Sequence, residues 1–161
     1  MRKSTAAAGA LLAIGAAVLP AAANAEEGGG PGTLEVAFVN TNVVVTGAHP
    51  DEATVLGKYR CDGGREGTHL WVSVKQGENL EAEGSSQWAT AHYDTNYMWA
   101  QDPAGMTLDC DGQWHADRVI VKMTPASAGL LQRGTAWVQY CAFDNHGGFA
   151  SVNGYKAVRV G

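Results

Sequence analysis

Apolar and polar residues alternate along much of the chain after residue 33, with the two-residue period of half-buried β-strands. The alternation is clearest in four runs, at 34–38, 55–61, 70–74 and 119–123. The run 42–46 is instead a short block of β-branched residues, which also favours a strand. Gly- and Asn-containing turns separate such runs at intervals of roughly ten residues, a spacing typical of all-β domains.

Turn residues add two predicted hairpins and leave little room for helix. Asp111-Gly112 and Asn153-Gly154 each stand between β-like runs, and both dipeptides favour the positive φ angles of a type I′ turn. The only predicted helix is one short turn within 127–132, which Gly134 ends. We therefore predict an all-β fold, an immunoglobulin-like antiparallel β-sandwich of about seven to nine strands. An up-and-down barrel is the alternative.

The N-terminal region has the pattern of a cleaved secretory signal peptide. Arg2 and Lys3 precede an Ala-rich apolar run, and Ala23-Asn24-Ala25 supplies the small residues of a cleavage site. The run ends at Pro20 and is weakly apolar for a membrane-spanning helix. We predict a signal peptide at 1–25 with cleavage after Ala25, a flexible segment at 26–32, and a single secreted domain at 33–161.

Charge argues against two classes of partner. Without the first 25 residues, nine basic residues face sixteen acidic ones, a net charge of −7. Nucleic acids and anionic membranes are bound mainly through clustered Lys and Arg, and the sequence contains no such cluster. We therefore predict neither nucleic acid nor membrane as a partner, and expect an extracellular protein or a glycan.

Three cysteines raise the question of pairing, because secretion favours a disulfide. Cys61 lies on the apolar parity of its run, and Cys110 lies on the apolar parity of residues 106–110. Both faces around Cys141 are apolar, so its orientation is ambiguous. Parity therefore favours a Cys61–Cys110 disulfide with Cys141 as a buried free thiol. A Cys61–Cys141 pair, as in immunoglobulin domains, is the alternative, although Trp71 falls on the wrong parity to pack against it.

The sequence contains few signs of catalysis. No nucleophilic-serine elbow or zinc-binding motif is present, and the five histidines stand singly, so we predict no metal and no cofactor. Residues 109–112 are similar to the nucleophile motif of cell-wall cysteine peptidases, with His146 as a possible base. A catalytic cysteine normally opens a helix, whereas a turn and a strand are predicted here. A cysteine hydrolase is thus the weakest alternative.

Binding is better supported, because aromatic side chains are concentrated between residues 88 and 99. The candidate ligand contacts are Trp88, His92, Tyr93, Tyr97 and Trp99. Aromatic rings beside Asp, Asn and Thr are the groups with which proteins hold sugars. The competing interpretation puts Tyr93, Tyr97 and Trp99 in the core, whereas Trp88 and His92 have the opposite parity and are the better candidates for exposure.

Three short motifs resemble those of small secreted actinobacterial proteins of unknown function. They are Gly57-x-Tyr59-x-Cys61, the strand-like run 70–77, and Cys110-Asp111-Gly112 followed by Trp and His. The resemblance implies an immunoglobulin-like sandwich, secretion and a Cys61–Cys110 disulfide, but no activity. The expected function is a non-enzymatic extracellular binding or interaction domain, with a carbohydrate or cell-wall binding module as the alternative.

Overall fold

The structure is a computed structural model, and it describes residues 33–62, 69–81, 85–95, 108–143 and 148–161. The predicted signal peptide (1–25) and flexible segment (26–32) lie outside the described residues. Within the described ranges, no helix is long and apolar enough to cross a membrane.

Seven β-strands account for most of the described residues, which confirms the all-β prediction. The strands are Leu34–Thr46 (β1), His49–Cys61 (β2), His69–Gly77 (β3), Ala89–Asp94 (β4), His115–Met123 (β5), Gly134–Phe143 (β6) and Phe149–Val160 (β7). A single 3-10 turn at Ser85–Trp88 precedes β4. The predicted helical turn within 127–132 is wrong, because those residues form bends that lead into β6.

The strands form a closed barrel in the order β1-β2-β5-β4-β3-β6-β7. Two separate sheets were expected, so closure is a correction. It arises because the end of β1 pairs in parallel with β7, and β4 pairs with β5. These junctions are short, with four and two paired residues, whereas β6 and β7 share ten. Neighbours such as β2 and β5 are not consecutive in the chain, so the barrel is not of the up-and-down type.

Inward-facing residues of all seven strands fill the barrel. Most are Val and Ala, and the largest fully buried side chains are Tyr93 and Tyr140. Position 57 must be glycine beside Tyr140, because a Cβ at residue 57 would lie 2.3 Å from the Tyr140 ring. β2 and β6 therefore meet across the barrel interior at a contact that only glycine allows.

The Cys61–Cys110 disulfide is present and confirms the favoured pairing. The two sulfurs are 2.10 Å apart and the Cα atoms 4.5 Å apart, and Cys141 is a buried free thiol, as predicted. The disulfide connects the end of β2 to the segment before β5. Beside it, the Gly112 N–H donates to the Cys61 carbonyl oxygen at 2.8 Å.

Neither predicted Asx-Gly hairpin is found. Gly112 does have the positive φ of a turn, at 81°, but the described residues before it, 108–110, are not a strand. Asn153 and Gly154 lie inside β7 and pair with Gln139 and Val138 of β6. Ten consecutive pairs with β6 favour an extended backbone there and override the local turn preference.

Candidate functional site on the outer face of β3, β6 and β7

The outward-facing side chains of β3, β6 and β7 form parallel rows, and we call three neighbouring rows the β3–β6–β7 face. The rows follow from the strand register: Trp71, Cys141 and Ser151; then Ser73, Gln139 and Asn153; then Lys75, Trp137 and Tyr155. Hydrogen-bonding side chains therefore occupy the middle row, with aromatic rings in the rows on either side.

Aromatic side chains give this face its accessible apolar surface. The Trp137 and Tyr155 rings meet edge to face, with centroids 5.0 Å apart. Tyr155 is 52% exposed, and Trp71 and Trp137 are half-buried. An aromatic ring so exposed can stack against a ligand without any rearrangement of the barrel.

Gln139 lies at the centre of the face and is held by its carbonyl end. The Lys75 ammonium donates to Gln139 Oε1 at 2.8 Å, and the Ser73 hydroxyl donates to the same oxygen at 3.4 Å. Both contacts use the acceptor end of the amide. The NH₂ end remains as a donor with a fixed direction, beside aromatic rings.

The groups that hold Gln139 belong to a buried charged network. Lys75 and Asp94 are each 4% exposed, Ser73 is fully buried, and His92 is 8% exposed. His92 Nε2 lies 3.5 Å from Asp94 Oδ2. Exposure increases from this β3–β4 side toward β7, where Asn153 and Tyr155 are open. One side of the face thus acts as a support and the other as an accessible surface.

Burial sets the protonation of this network. Desolvation lowers the pKa of His92, and Asp94 opposes that shift while Lys75 adds to it. Desolvation also lowers the pKa of Lys75, again opposed by Asp94. Asp94 is therefore the charge that opposes desolvation at both Lys75 and His92, and its removal takes that favourable charge away from the buried Lys75 ammonium.

The turn after β3 folds back over part of this face. The Glu81 carboxylate accepts a hydrogen bond from Tyr155, two strands away, and this contact raises the pKa of the Tyr155 phenol. Leu80 in the same turn is 3% exposed. This turn therefore brings a carboxylate to the edge of the face at β7.

The predicted ligand contacts do not form one surface. Trp88 is 54% exposed, as expected, and lies at the end of the 3-10 turn. The predicted exposure of His92 is wrong. Tyr93 is also excluded as a contact, because it is fully buried, donating to the Pro50 carbonyl oxygen at 2.6 Å and accepting from the Leu131 N–H at 3.3 Å. Tyr97 and Trp99 lie outside the described residues.

The error at His92 has a structural cause. Parity correctly directs its side chain away from the barrel interior, opposite to Tyr93. An outward direction does not mean exposure in this part of the barrel. Lys75, which pairs with His92, and Asp94 also point outward, and both are buried like His92. The residues that sequence analysis missed, Trp137, Gln139 and Tyr155, come from different strands, and only the β6–β7 register brings them together.

The cysteine-hydrolase alternative loses its nucleophile. Cys110 is bonded to Cys61 and cannot act as a thiolate. Cys141 is 4% exposed, and burial raises its pKa to about 12. His146, the base predicted for Cys110, lies outside the described residues. Among the residues that are described, no group of three or more His, Cys, Asp or Glu side chains is arranged to hold a metal ion.

No family model, curated protein or solved structure matches this chain. Any function must therefore be inferred from the chemistry of its own surface.

Proposed function

We propose that this protein is an extracellular, non-enzymatic binding domain that holds a glycan chain on its β3–β6–β7 face. The observation that carries the proposal is the arrangement of Gln139. Its oxygen is occupied by Lys75 and Ser73, and its NH₂ group remains available beside the Trp137–Tyr155 pair.

A glycan fits this chemistry better than a purely apolar ligand. Sugar rings have apolar C–H faces that stack on aromatic rings and hydroxyl groups that need directed hydrogen-bond partners. The face offers stacking surfaces and hydrogen-bonding groups in alternate rows. Gln139 and Asn153 lie in the middle row, with Trp71 in the row on one side and Trp137 and Tyr155 in the row on the other. A rigid amide costs little conformational entropy on binding, because Lys75 already restricts it.

The proposal also includes an immunoglobulin-like architecture and an extracellular location. The short junctions divide the barrel into β1-β2-β5 and β4-β3-β6-β7, and this division supports an immunoglobulin-like sandwich closed at its corners. The predicted signal peptide and the Cys61–Cys110 disulfide support an oxidising extracellular location.

Binding rather than catalysis is proposed because the face lacks an accessible nucleophile next to a base. Ser73, His92 and Asp94 are the side chains that resemble a hydrolase set, and all three are buried. The Ser73 hydroxyl donates to Gln139 rather than to His92. These residues are arranged to support the amide, not to attack a substrate.

A pull-down on insoluble polysaccharides tests the proposal. Cellulose, chitin, xylan and purified peptidoglycan are incubated with the protein lacking residues 1–25, and the bound fraction is measured. We expect retention on at least one polymer. Tyr155→Ala and Gln139→Ala should each weaken binding about tenfold, which corresponds to about 1.4 kcal/mol.

Trp88→Ala is the matched control, because Trp88 and Tyr155 are similarly exposed, at 54% and 52%. This variant should be retained like the parent protein. Loss of binding in Trp88→Ala together with unchanged binding in Tyr155→Ala contradicts the proposed site. Absence of retention on all four polymers contradicts glycan binding itself.

A further inference from the structure

A second outward face, formed by β2 and β5, has a charge opposite to that of the whole domain. Four cations project from it, Lys58, Arg60, Arg118 and Lys122, and lie near two carboxylates, Glu35 and Glu52. The cations are far apart in sequence, and the pairing of β2 with β5 brings them together. We call this set of six residues, with Trp114, the β2–β5 face.

Ion pairs satisfy the cations at both ends of this face but not those between them. The Arg60 guanidinium lies 2.8 Å from the Glu35 carboxylate, and Lys122 Nζ lies 2.8 Å from Glu52 Oε1. Arg118 is exposed, and its side chain makes no hydrogen bond or ion pair with any described residue. Arg118 is therefore available to bind an external anion with two parallel hydrogen bonds.

Arg118 also lies in a concave part of the surface. Two adjoining grooves of about 230 and 200 Å³ share Arg118, Val44 and Thr54. Val44 and Ile120 are exposed apolar residues at 41% and 42%. The grooves thus combine an unpaired cation, hydroxyl groups and apolar side chains, and the one carboxylate that lines them, Glu52, is paired with Lys122.

Trp114 adds an aromatic ring near the end of the face where β5 begins. It is 42% exposed, with the Lys58 ammonium 4.4 Å and the Arg60 guanidinium 5.3 Å from its ring. Lys58 has no carboxylate partner among the residues that the structure describes. A ring with a cation beside it suits a flat ligand that carries a negative charge.

We propose that the β2–β5 face binds an acidic polysaccharide, with one carboxylate on Arg118 and a sugar ring against Trp114. The unpaired cations provide charge complementarity to carboxylates, and the exposed indole provides a surface for the ring. An acidic peptide fits less well, because β2 is paired on both sides, by β1 and β5, and offers no free strand edge. This site is separate from the β3–β6–β7 face and does not depend on glycan binding there.

Calorimetric titration with polygalacturonate tests the inference, and its fully methyl-esterified form is the uncharged control with the same backbone. We expect saturable binding of the acid that weakens as salt increases, and none of the ester. Arg118→Gln should weaken binding about tenfold and Trp114→Ala several-fold. Lys122→Gln should change it less than threefold, since that cation is already paired. Trp88→Ala, which belongs to neither face, should leave it unchanged.

Four results would overturn the inference: no binding of polygalacturonate at millimolar uronate, equal binding of the ester, unchanged binding in Arg118→Gln, or binding of polyglutamate or polyphosphate as tight as that of polygalacturonate. The first three remove the carboxylate site, and the last replaces sugar recognition by general attraction of polyanions. Because all the substituted groups are exposed or half-exposed, an unchanged circular dichroism spectrum should accompany each variant.

Discussion

The two outer faces of this barrel use similar residue types in opposite ways. On the β3–β6–β7 face, the buried Lys75 holds Gln139 in place, and the buried Asp94 lies beside it on β4. On the β2–β5 face, the charged pair Glu52 and Lys122 is about a third exposed. The comparison shows that the outward positions of a strand are not all surface positions. One face carries a fixed polar network, and the other carries charges that remain available to solvent and ligands.

Removing one acidic residue from each face should produce the largest difference between them. Asp94→Ala removes the carboxylate that opposes the desolvation of the buried Lys75 ammonium, so we expect a loss of about 3 kcal/mol in the free energy of unfolding. Glu52→Ala removes a surface ion pair and should cost less than about 1 kcal/mol. Urea denaturation with the disulfide intact measures both values.

Asp94→Asn provides the control for this pair of variants, because it removes the charge and preserves the shape. It should remain markedly destabilised relative to Glu52→Gln. Equal losses for the Asp94 and Glu52 variants would mean that the Asp94 network is as solvated as the surface pair, contrary to the contrast between the faces.

Cys141 reports on the shielding of the β3–β6–β7 face. It projects outward from β6 but is 4% exposed, and burial raises its pKa to about 12. In the native protein at pH 8 we expect its reaction with a disulfide reagent to be at least about a hundredfold slower than in urea, because thiolate and access are both scarce. A single thiol should titrate after unfolding. Rapid reaction of the native protein would show that this face is open.

Acidification should lower the free energy of unfolding through His92, which lies beside the same face, by less than the Asp94 substitution does. Because desolvation lowers the pKa of His92, the unfolded chain takes up a proton at this residue at a higher pH than the folded protein does. The contribution of His92 to the free energy of unfolding is therefore fully present above the unfolded pKa of about 6.5. It decreases as the pH falls toward the lower folded pKa, and the decrease corresponds to uptake of at most about one proton on unfolding.

His92→Gln should remove this component of the pH dependence, whereas Trp88→Ala, outside the network, should retain it. Denaturation midpoints between pH 7.5 and 5 measure the effect. A slope that is identical in the parent protein and His92→Gln would contradict the buried, neutral state of this imidazole.

Alternation of apolar and polar residues predicted the strands well, because each strand has one face in the barrel. It also favoured the Cys61–Cys110 disulfide, since both cysteines share an apolar parity. Asn153-Gly154 does not form the predicted hairpin, because the turn preference of two residues is weak against continuous pairing with β6. Closure of the barrel could not be predicted, as it depends on two short junctions between strands distant in sequence.

The candidate sites were less predictable than the strands for a related reason. The segment 88–99 drew attention because its aromatic residues are close in sequence, yet Trp88 is exposed and Tyr93 is in the core. Gln139, Tyr155 and Arg118 are inconspicuous in the sequence. Each gains significance from a neighbour across a strand pair, and a single sequence does not specify that register.

The most direct test of the account is a ¹⁵N NMR titration that follows the side-chain NH₂ group of Gln139. Soluble cellohexaose, chitohexaose and a digest of peptidoglycan are added in separate experiments. If the β3–β6–β7 face binds a glycan, then with at least one of them the Gln139 side-chain and Trp137 indole signals should move along one saturable isotherm while the Trp114 indole signal stays in place. Movement of the Trp114 or Trp88 indole signals with Gln139 unchanged would contradict it.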